Sequence, residues 1–259
     1  MTGFLTRILA AKEEEVATKS RKRPLKDLKR SIRSLPAVRS LASALRTPRM
    51  SIIAEVKKAS PSAGVLTSTF DHRSLGREYE AGGAAALSVL TDREFFQGSL
   101  EFLKDIRLVA ALPILRKDFI IKEYQIYETR DAGGDAVLLI ARILEQSTLR
   151  EFYELAGAIG LQSLVEVHDE KDVEKANGIG ASIIGINNRD LSDFSISLDR
   201  SLKLRPLLHS GAIAVSESGI RTKSEVKILR EAGFNAVLVG EGLVKSSDRR
   251  QAVRELILE

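Results

Sequence analysis

From Ser51 onward, eight short and almost wholly apolar segments recur along the chain. Each is followed by a stretch with helical spacing. This alternation restricts the available folds more than any other feature. The segments cover residues 51–57, 84–90, 113–117, 136–140, 163–167, 182–187, 213–218 and 236–240. A strand with one wet face alternates apolar and polar residues; a segment such as AVLLI does not, which suits a parallel sheet covered on both faces. Five segments share a preface in which a helix closes on glycine just before the strand: AGGAAALSVL, AGGDAVLLI, AIGLQSLVEV, GIGASIIGI and AGFNAVLVG. The repeat length, roughly 20–33 residues, is that of one βα module. Eight modules predict an α/β fold of the (β/α)8 TIM-barrel type, and 259 residues is an ordinary length for one. A doubly wound open sheet is the alternative. Against it, no strand is followed by GxGxxG and the strand spacing stays even.

The first 48 residues read as a helical extension packing on the barrel, within a single domain of residues 1–259. Phe4, Leu5, Ile8 and Leu9 have helical spacing, Val16 falls on the same side, and the helix runs through Lys19. Residues 20–24 form a basic break. A second, weaker helix is expected over 35–45, with Leu41 and Leu45 four apart, ended by Pro48. Residues 1–50 hold 13 Lys/Arg against 4 Asp/Glu, so a chain of net charge +5 carries −4 in its remainder. Phe4 is the one aromatic in this arm. That composition fits a solvated helical face, or a flap that attracts an anionic substrate, better than a nucleic-acid-binding arm.

The chain contains no cysteine, which excludes disulfides and thiol chemistry. Its three histidines form neither HxH nor HExxH, so no His-based metal site is expected. No apolar run approaches the roughly 18 residues of a membrane span, and the N-terminus lacks a signal-peptide pattern. A cytoplasmic protein, with a monomer favoured, is the expectation.

In such a barrel the chemistry sits at the C-terminal ends of the strands. On the first strand, Ile52, Ala54 and Val56 fall on one face and Ile53, Glu55 and Lys57 on the other, followed by Lys58, Ser60 and Pro61. The third strand ends in Arg116, Lys117, Asp118 and Phe119, and the fifth in Glu166. The sixth ends in Asn187, Asn188 and Arg189, and the seventh in Ser216, Glu217 and Ser218. Lysines and glutamates converging on one mouth shift each other's pKa values. Gly219 after the seventh strand, and Gly240, Glu241 and Gly242 after the eighth, stand in the two loops that often bind phosphate through backbone N–H groups. Glu241 has the wrong sign for an anion, so its carboxylate is expected to turn away. Phe96 and Phe119 are candidates for an aromatic substrate wall. His168 reads as a cap or surface residue at the entry to the next helix, and His72 and His209 as surface residues.

The motifs AEVKKASPS, SVLTDREFFQGS, LRKDFI, DAVLLI, LVEVHDE, GINNRDL, SESGI and VGEGLV occur in this order at barrel-strand spacing. Together they closely resemble indole-3-glycerol phosphate synthase, the ring-closing lyase of tryptophan biosynthesis, over nearly the whole chain. The resemblance implies a phosphorylated small-molecule substrate, 1-(2-carboxyphenylamino)-1-deoxyribulose 5-phosphate, closed to indole-3-glycerol phosphate with loss of CO2 and water and without a cofactor. It implies Lys117 as general acid and Glu166 as general base, with Lys57 near the substrate carboxylate and hydroxyls and Glu55 orienting Lys57. Asn187 and Ser218 would orient the substrate, with Glu217 beside it and Ser60 and Arg189 as further polar contacts. The phosphate would rest on Gly219, Gly240 and Glu241, with Lys57 or Lys58 nearby. Gly242 departs from the serine that is commoner there. Two other readings are a sugar-phosphate ketol-isomerase on the same scaffold and a nucleic-acid-binding module using the basic arm. Paired lysines with a glutamate favour ring closure over isomerisation, which needs one acid and one base.

Overall fold

The computed structural model describes residues 3–190 and 193–257. Eight strands follow the predicted segments to within two residues. They are β1 (Ser51–Val56), β2 (Ala86–Leu90), β3 (Ile114–Lys117), β4 (Ala136–Ile140), β5 (Gln162–Val167), β6 (Ile183–Asn187), β7 (Ile213–Glu217) and β8 (Ala236–Val239). They pair in parallel, in sequence order, and β8 returns to β1 through Ser51↔Ala236 to Ala54↔Val239. Closure removes both sheet edges and rules out the open doubly wound alternative. All five preface glycines take the left-handed conformation expected of helix C-caps: Gly83, Gly133, Gly160, Gly180 and Gly233 have φ between 67° and 94°.

Strand parity sorts the core into two layers. Ile52, Ala54 and Val56 face outward and pack with helix residues such as Leu75, Tyr79 and Val253. Ile53 faces inward with Leu115, Leu138, Leu164, Ile183, Val215 and Leu238. Continuing the inward parity to the C-terminal ends of the strands brings up Glu55, Lys117, Glu166, Asn187 and Glu217 in place of aliphatic residues. The barrel interior is therefore mostly hydrocarbon, with its charged side chains gathered at one rim.

The N-terminal extension closes both ends. Helix α1 (Gly3–Lys22) lies across the mouth, with Leu5 and Ile8 in the same apolar cluster as the barrel interior. Helix α3 (Leu41–Leu45) brings Leu41 and Leu45 into that cluster; the backbone N–H of Ala42 donates to Gln162 Oε1 at 2.9 Å, at the start of β5. Three details differ from the sequence reading. Helix α1 continues to Lys22, through much of the expected basic break. A helix absent from the reading, α2 (Leu25–Ser31), follows Pro24; it buries only Leu28, too little to give a periodic signal. Residues 35–40 are not helical, and α3 starts on the Ser40 cap, whose side chain accepts from Ser43 N–H. The basic residues meet acids of the helix Glu123–Asp131. Lys19 lies 3.4 Å from Glu128, Lys29 lies 3.7 Å from Glu123, and Arg23 forms a two-pronged pair with Asp131. Part of the arm's positive charge is thus answered by this helix.

The histidines also differ from expectation. His72 and His209 are half-buried; His72 Nε2 lies 2.8 Å from Asp105, and His209 Nε2 lies 3.0 Å from the Ala181 carbonyl. His168 is neither a cap nor at the surface. The next helix, Glu170–Gly178, is capped by Asp169, and the His168 side chain is fully buried with Nε2 3.4 Å from Glu166 Oε1. Parity explains this, because His168 follows Glu166 by two. Burial pushes its pKa down to about 4, against the raising influence of Glu166 and with further lowering from Arg142, Lys117 and Arg200. No helix among the described residues is long and apolar enough to cross a membrane.

A histidine in the unfolded chain protonates near 6.5, whereas His168 in the folded chain stays neutral down to about pH 4. Its folded pKa is depressed, so stability present above 6.5 is lost as pH falls, by about 1.4 kcal/mol per pH unit until the folded pKa is reached. The Tm of His168→Asn should therefore fall less steeply than wild type between pH 6.5 and 4.5. Identical slopes would show that the imidazole protonates freely in the native state.

Candidate active site

Lys117 is the last residue of β3, and its ammonium stands between two carboxylates from across the barrel. Nζ lies 2.5 Å from Glu166 Oε2, on β5, and 3.1 Å from Glu217 Oε2, on β7. A separate pair stands at the end of β1, where Lys57 Nζ is 2.8 Å from Glu55 Oε1, as the shared face of those two residues requires. Asn187 is the register partner of Glu217 across β6 and β7. Its Oδ1 accepts from Ser218 Oγ at 2.9 Å and from the Arg189 N–H at 3.0 Å. Asn187 also helps to hold the Glu166 carboxyl below its ordinary range.

One cleft joins these groups. Its lining includes Glu55, Lys57, Ser60, Lys117, Glu166, Asn187, Arg189, Glu217, Ser218, Gly219, Gly240 and Glu241, with Phe96 and Phe119 on one side. The residues to which the resemblance gives a role therefore meet in one place, Lys58 excepted; Arg116, Asn188 and Ser216, also at strand ends, stand outside the lining. The Phe96 and Phe119 rings lie 6.3 Å apart at an interplanar angle of 39°, a tilted apolar wall beside the charged rim. Helix α1 contributes Phe4 and Ile8, and Arg189 also donates to Ser62 Oγ at 3.2 Å.

Space at the rim is set by glycines. A Cβ at Gly185, on β6, would lie 2.0 Å from Glu217 Oε1, so the neighbouring strand must lack a side chain for that carboxylate to turn inward. A Cβ at Gly240 would lie 2.3 Å from Glu55 Oε1. Ser218 holds φ at 67°, a strained value for a residue with a side chain, and Gly219 follows at 84°. The Asn188 side-chain amide donates to the Ser218 carbonyl at 3.1 Å and fixes this turn. After β8 the chain enters the helix Glu241–Lys245, and the Glu241 carboxylate turns to Lys245 Nζ at 2.6 Å. It leaves the backbone N–H side of the loop open, as its sign demanded.

The electrostatics follow from burial and pairing. Burial would raise the Glu166 carboxyl, but the adjacent Lys117 ammonium outweighs it and holds Glu166 well below the usual carboxylate range. Burial would lower Lys117, but Glu166 and Glu217 together hold it above the usual lysine range. Burial raises Glu217; Lys117 opposes this, and the nearby charges of Glu166 and Glu55 add to it. One ammonium thus faces two carboxylates of opposite tendency, one firmly ionised and one inclined to keep its proton. Such a cluster can protonate a developing alkoxide from one side and accept a proton on the other.

Several supporting residues escaped the sequence reading. Gly185 sits inside an apolar strand, and nothing local marks it as the space for Glu217. Lys12 lies within an apolar helical stripe, Asp92 looks like an ordinary turn residue, and Asp118 is legible only as one of the residues that end the third strand. Their pairing is visible only once α1 is laid on the barrel.

Comparison with known proteins adds the family. The family model described as indole-3-glycerol phosphate synthase matches residues 5–256. An indole-3-glycerol phosphate synthase of Chlorobium phaeovibrioides is 50% identical over 249 residues, covering 95% of this chain and 96% of that protein. One of Chlorobaculum tepidum is 46% identical over 250 residues, covering 96% and 98%. Among solved structures, 3-hexulose-6-phosphate synthase from Salmonella typhimurium shares the fold, with a TM-score of 0.65 at 15% identity over 80% of this chain and 96% of that one. With a family model spanning nearly all of the chain, and relatives this similar over their full length, the chain belongs to the indole-3-glycerol phosphate synthase family, carboxy-lyases of tryptophan biosynthesis.

Proposed function

We propose that the cleft closes 1-(2-carboxyphenylamino)-1-deoxyribulose 5-phosphate to indole-3-glycerol phosphate, with Lys117 as general acid and Glu166 as general base. The observation that carries this reading is the Lys117 ammonium held between Glu166 and Glu217 on the inner face of the barrel mouth. Ring closure forms a carbon–carbon bond from the ring carbon that bears the carboxylate to the C2' carbonyl carbon. The carbonyl oxygen takes a proton and becomes a hydroxyl. The carboxylate then leaves as CO2, returning its electron pair to the ring. Finally the hydroxyl leaves as water, and a proton is lost from the former C1'. The first step needs an acid at the carbonyl oxygen, which Lys117 supplies. The last needs a base, which Glu166, held ionised, supplies.

Lys57, braced by Glu55, takes the substrate carboxylate and hydroxyls and is the second proton donor available for dehydration. Asn187 and Ser218, already bonded to each other, orient the chain of hydroxyls. Glu217 supports Lys117, and Ser60 and Arg189 complete the polar wall. The aromatic ring lies on Phe96 and Phe119, and the phosphate on the N–H groups of Gly219, Gly240 and Glu241, with Gly242 offering backbone only. The proposed site needs no residue from a second copy, and the reading is of a monomeric enzyme acting in the cytoplasm.

Purified protein given this substrate should develop the fluorescence of the indole product; a flat trace would defeat the assignment. Lys117→Ala should lower kcat by about 10³-fold, within the range for a lost general acid, while KM moves little. It also leaves two buried carboxylates facing each other, so it should cost about 3–5 kcal/mol of stability and must be assayed well below its lowered Tm. Near-normal kcat in the folded variant would remove Lys117 from the acid role. Glu166→Gln should lower kcat by about 10²–10⁴-fold and keep the shape of the site; turnover close to wild type would move the base elsewhere.

A further inference from the structure

Lys12 lies in the buried stripe of α1 between Ile8 and Val16, where helical spacing calls for an aliphatic residue. Only 1% of it is exposed. Its ammonium meets three carboxylates: Glu15 Oε2 at 2.7 Å, Asp92 Oδ2 at 2.9 Å and Asp118 Oδ1 at 2.9 Å. Asp92 follows β2, and Asp118 follows Lys117 directly. Each of the two aspartates holds the backbone of an aromatic residue of the cleft. Asp92 Oδ1 accepts from the N–H groups of Phe95 at 2.8 Å and Phe96 at 3.2 Å. Asp118 Oδ1 accepts from the Phe119 N–H at 2.8 Å, and its Oδ2 takes Thr91 Oγ1 at 2.6 Å and Arg116 at 3.0 Å.

We propose that Lys12 is a positioning residue for the ring-closing reaction. The N-terminal helix inserts its ammonium between the ends of β2 and β3 and thereby locks Phe96 and Phe119 in register with Lys117. This rests on the reading of Lys117 as acid and of the two phenylalanines as the aromatic wall. An apolar residue would hold α1 to the barrel at least as well, because a buried ion pair rarely outperforms hydrocarbon of the same volume. An ammonium offers direction instead. It draws two carboxylates from separate loops onto one point, and each carboxylate carries a backbone segment of the wall with it. Lys12 touches no reacting atom; it sets where the aromatic ring lies relative to the proton donor. Small errors in that placement cost much of the rate.

The test compares Lys12→Met, Phe96→Ala and the double variant, each assayed well below its own Tm. Lys12→Met should lower kcat by about tenfold or more, beyond any effect on KM. If Lys12 acts through the wall, its loss should cost much less in kcat/KM once Phe96 is already gone. A Lys12→Met protein with a lowered Tm but kcat within twofold of wild type would make Lys12 a fastener of the helix and overturn the proposal. So would fully additive costs in the double variant. Should Lys12→Met not fold, Lys12→Gln carries the same comparison. Lys117→Ala, run alongside, separates the two readings: wild-type turnover there removes the acid assignment, whereas loss there with no loss on changing Lys12 defeats only the positioning role.

Discussion

The Lys117 ammonium between Glu166 and Glu217 is the constraint to which the rest of the mouth is fitted. Two carboxylates buried this deeply repel each other and lose their hydration, and neither is tolerable there without a cation. One cation is not enough to ionise both comfortably, so they divide: Glu166 is held low and Glu217 is raised. That division lets one small cluster hold an acid and a base of different strength within hydrogen-bond reach. It also has structural consequences around the rim. Gly185 must be bare to admit Glu217, Gly240 must be bare to admit Glu55, and His168 must stay neutral beneath Glu166.

The N-terminal extension makes this arrangement tolerable. A barrel alone would leave the charged rim open to water on one side. Helix α1 covers it with Leu5 and Ile8, and α3 seals the opposite end with Leu41 and Leu45. Three of the basic residues in the first 50, Lys19, Arg23 and Lys29, pair with acids of the helix Glu123–Asp131, and another, Lys12, goes inside. Charge complementarity between arm and barrel thus fixes where the arm lies, and burial of its leucines keeps it there.

Much of this was legible in the sequence, for a physical reason. Strand parity has period two, so the faces of Glu55 and Lys57 followed from Ile52, Ala54 and Val56 alone. The barrel rule then placed Lys117, Glu166, Asn187 and Glu217 at one mouth. Glycine prefaces announced each strand because a left-handed helix end favours that residue. What could not be read was anything set by contact between distant segments. Lys12 falls on the apolar stripe of α1 with no partner in reach along the helix but Glu15, and only the docked barrel supplies Asp92 and Asp118. His168 looks like the start of a helix cap, and only closure of the barrel shows that its neighbours exclude water. Helix α2 buries one leucine, too little to leave a period.

The two ends of the barrel show how the fold separates stability from chemistry. At the N-terminal ends of the strands the inward residues include Ala86, Ala136, Ile183, Ile213 and Ala236, capped by leucines; the polar members, Ser51 and Gln162, hydrogen-bond to Ala44 and Ala42 of the N-terminal extension. Four positions further along, the same parity delivers Leu90 and Ile140 on two strands but Asn187 and Glu217 on two others. Folding free energy therefore comes from the lower layers and the strand–helix interface, and the upper rim is carried by them. Substitutions that neutralise Glu217 or Glu55 singly leave that lower core intact. The residues that hold the rim in place, Lys12 above all, are bound by charge to the very acids whose position they set, so rim geometry and arm docking rise and fall together.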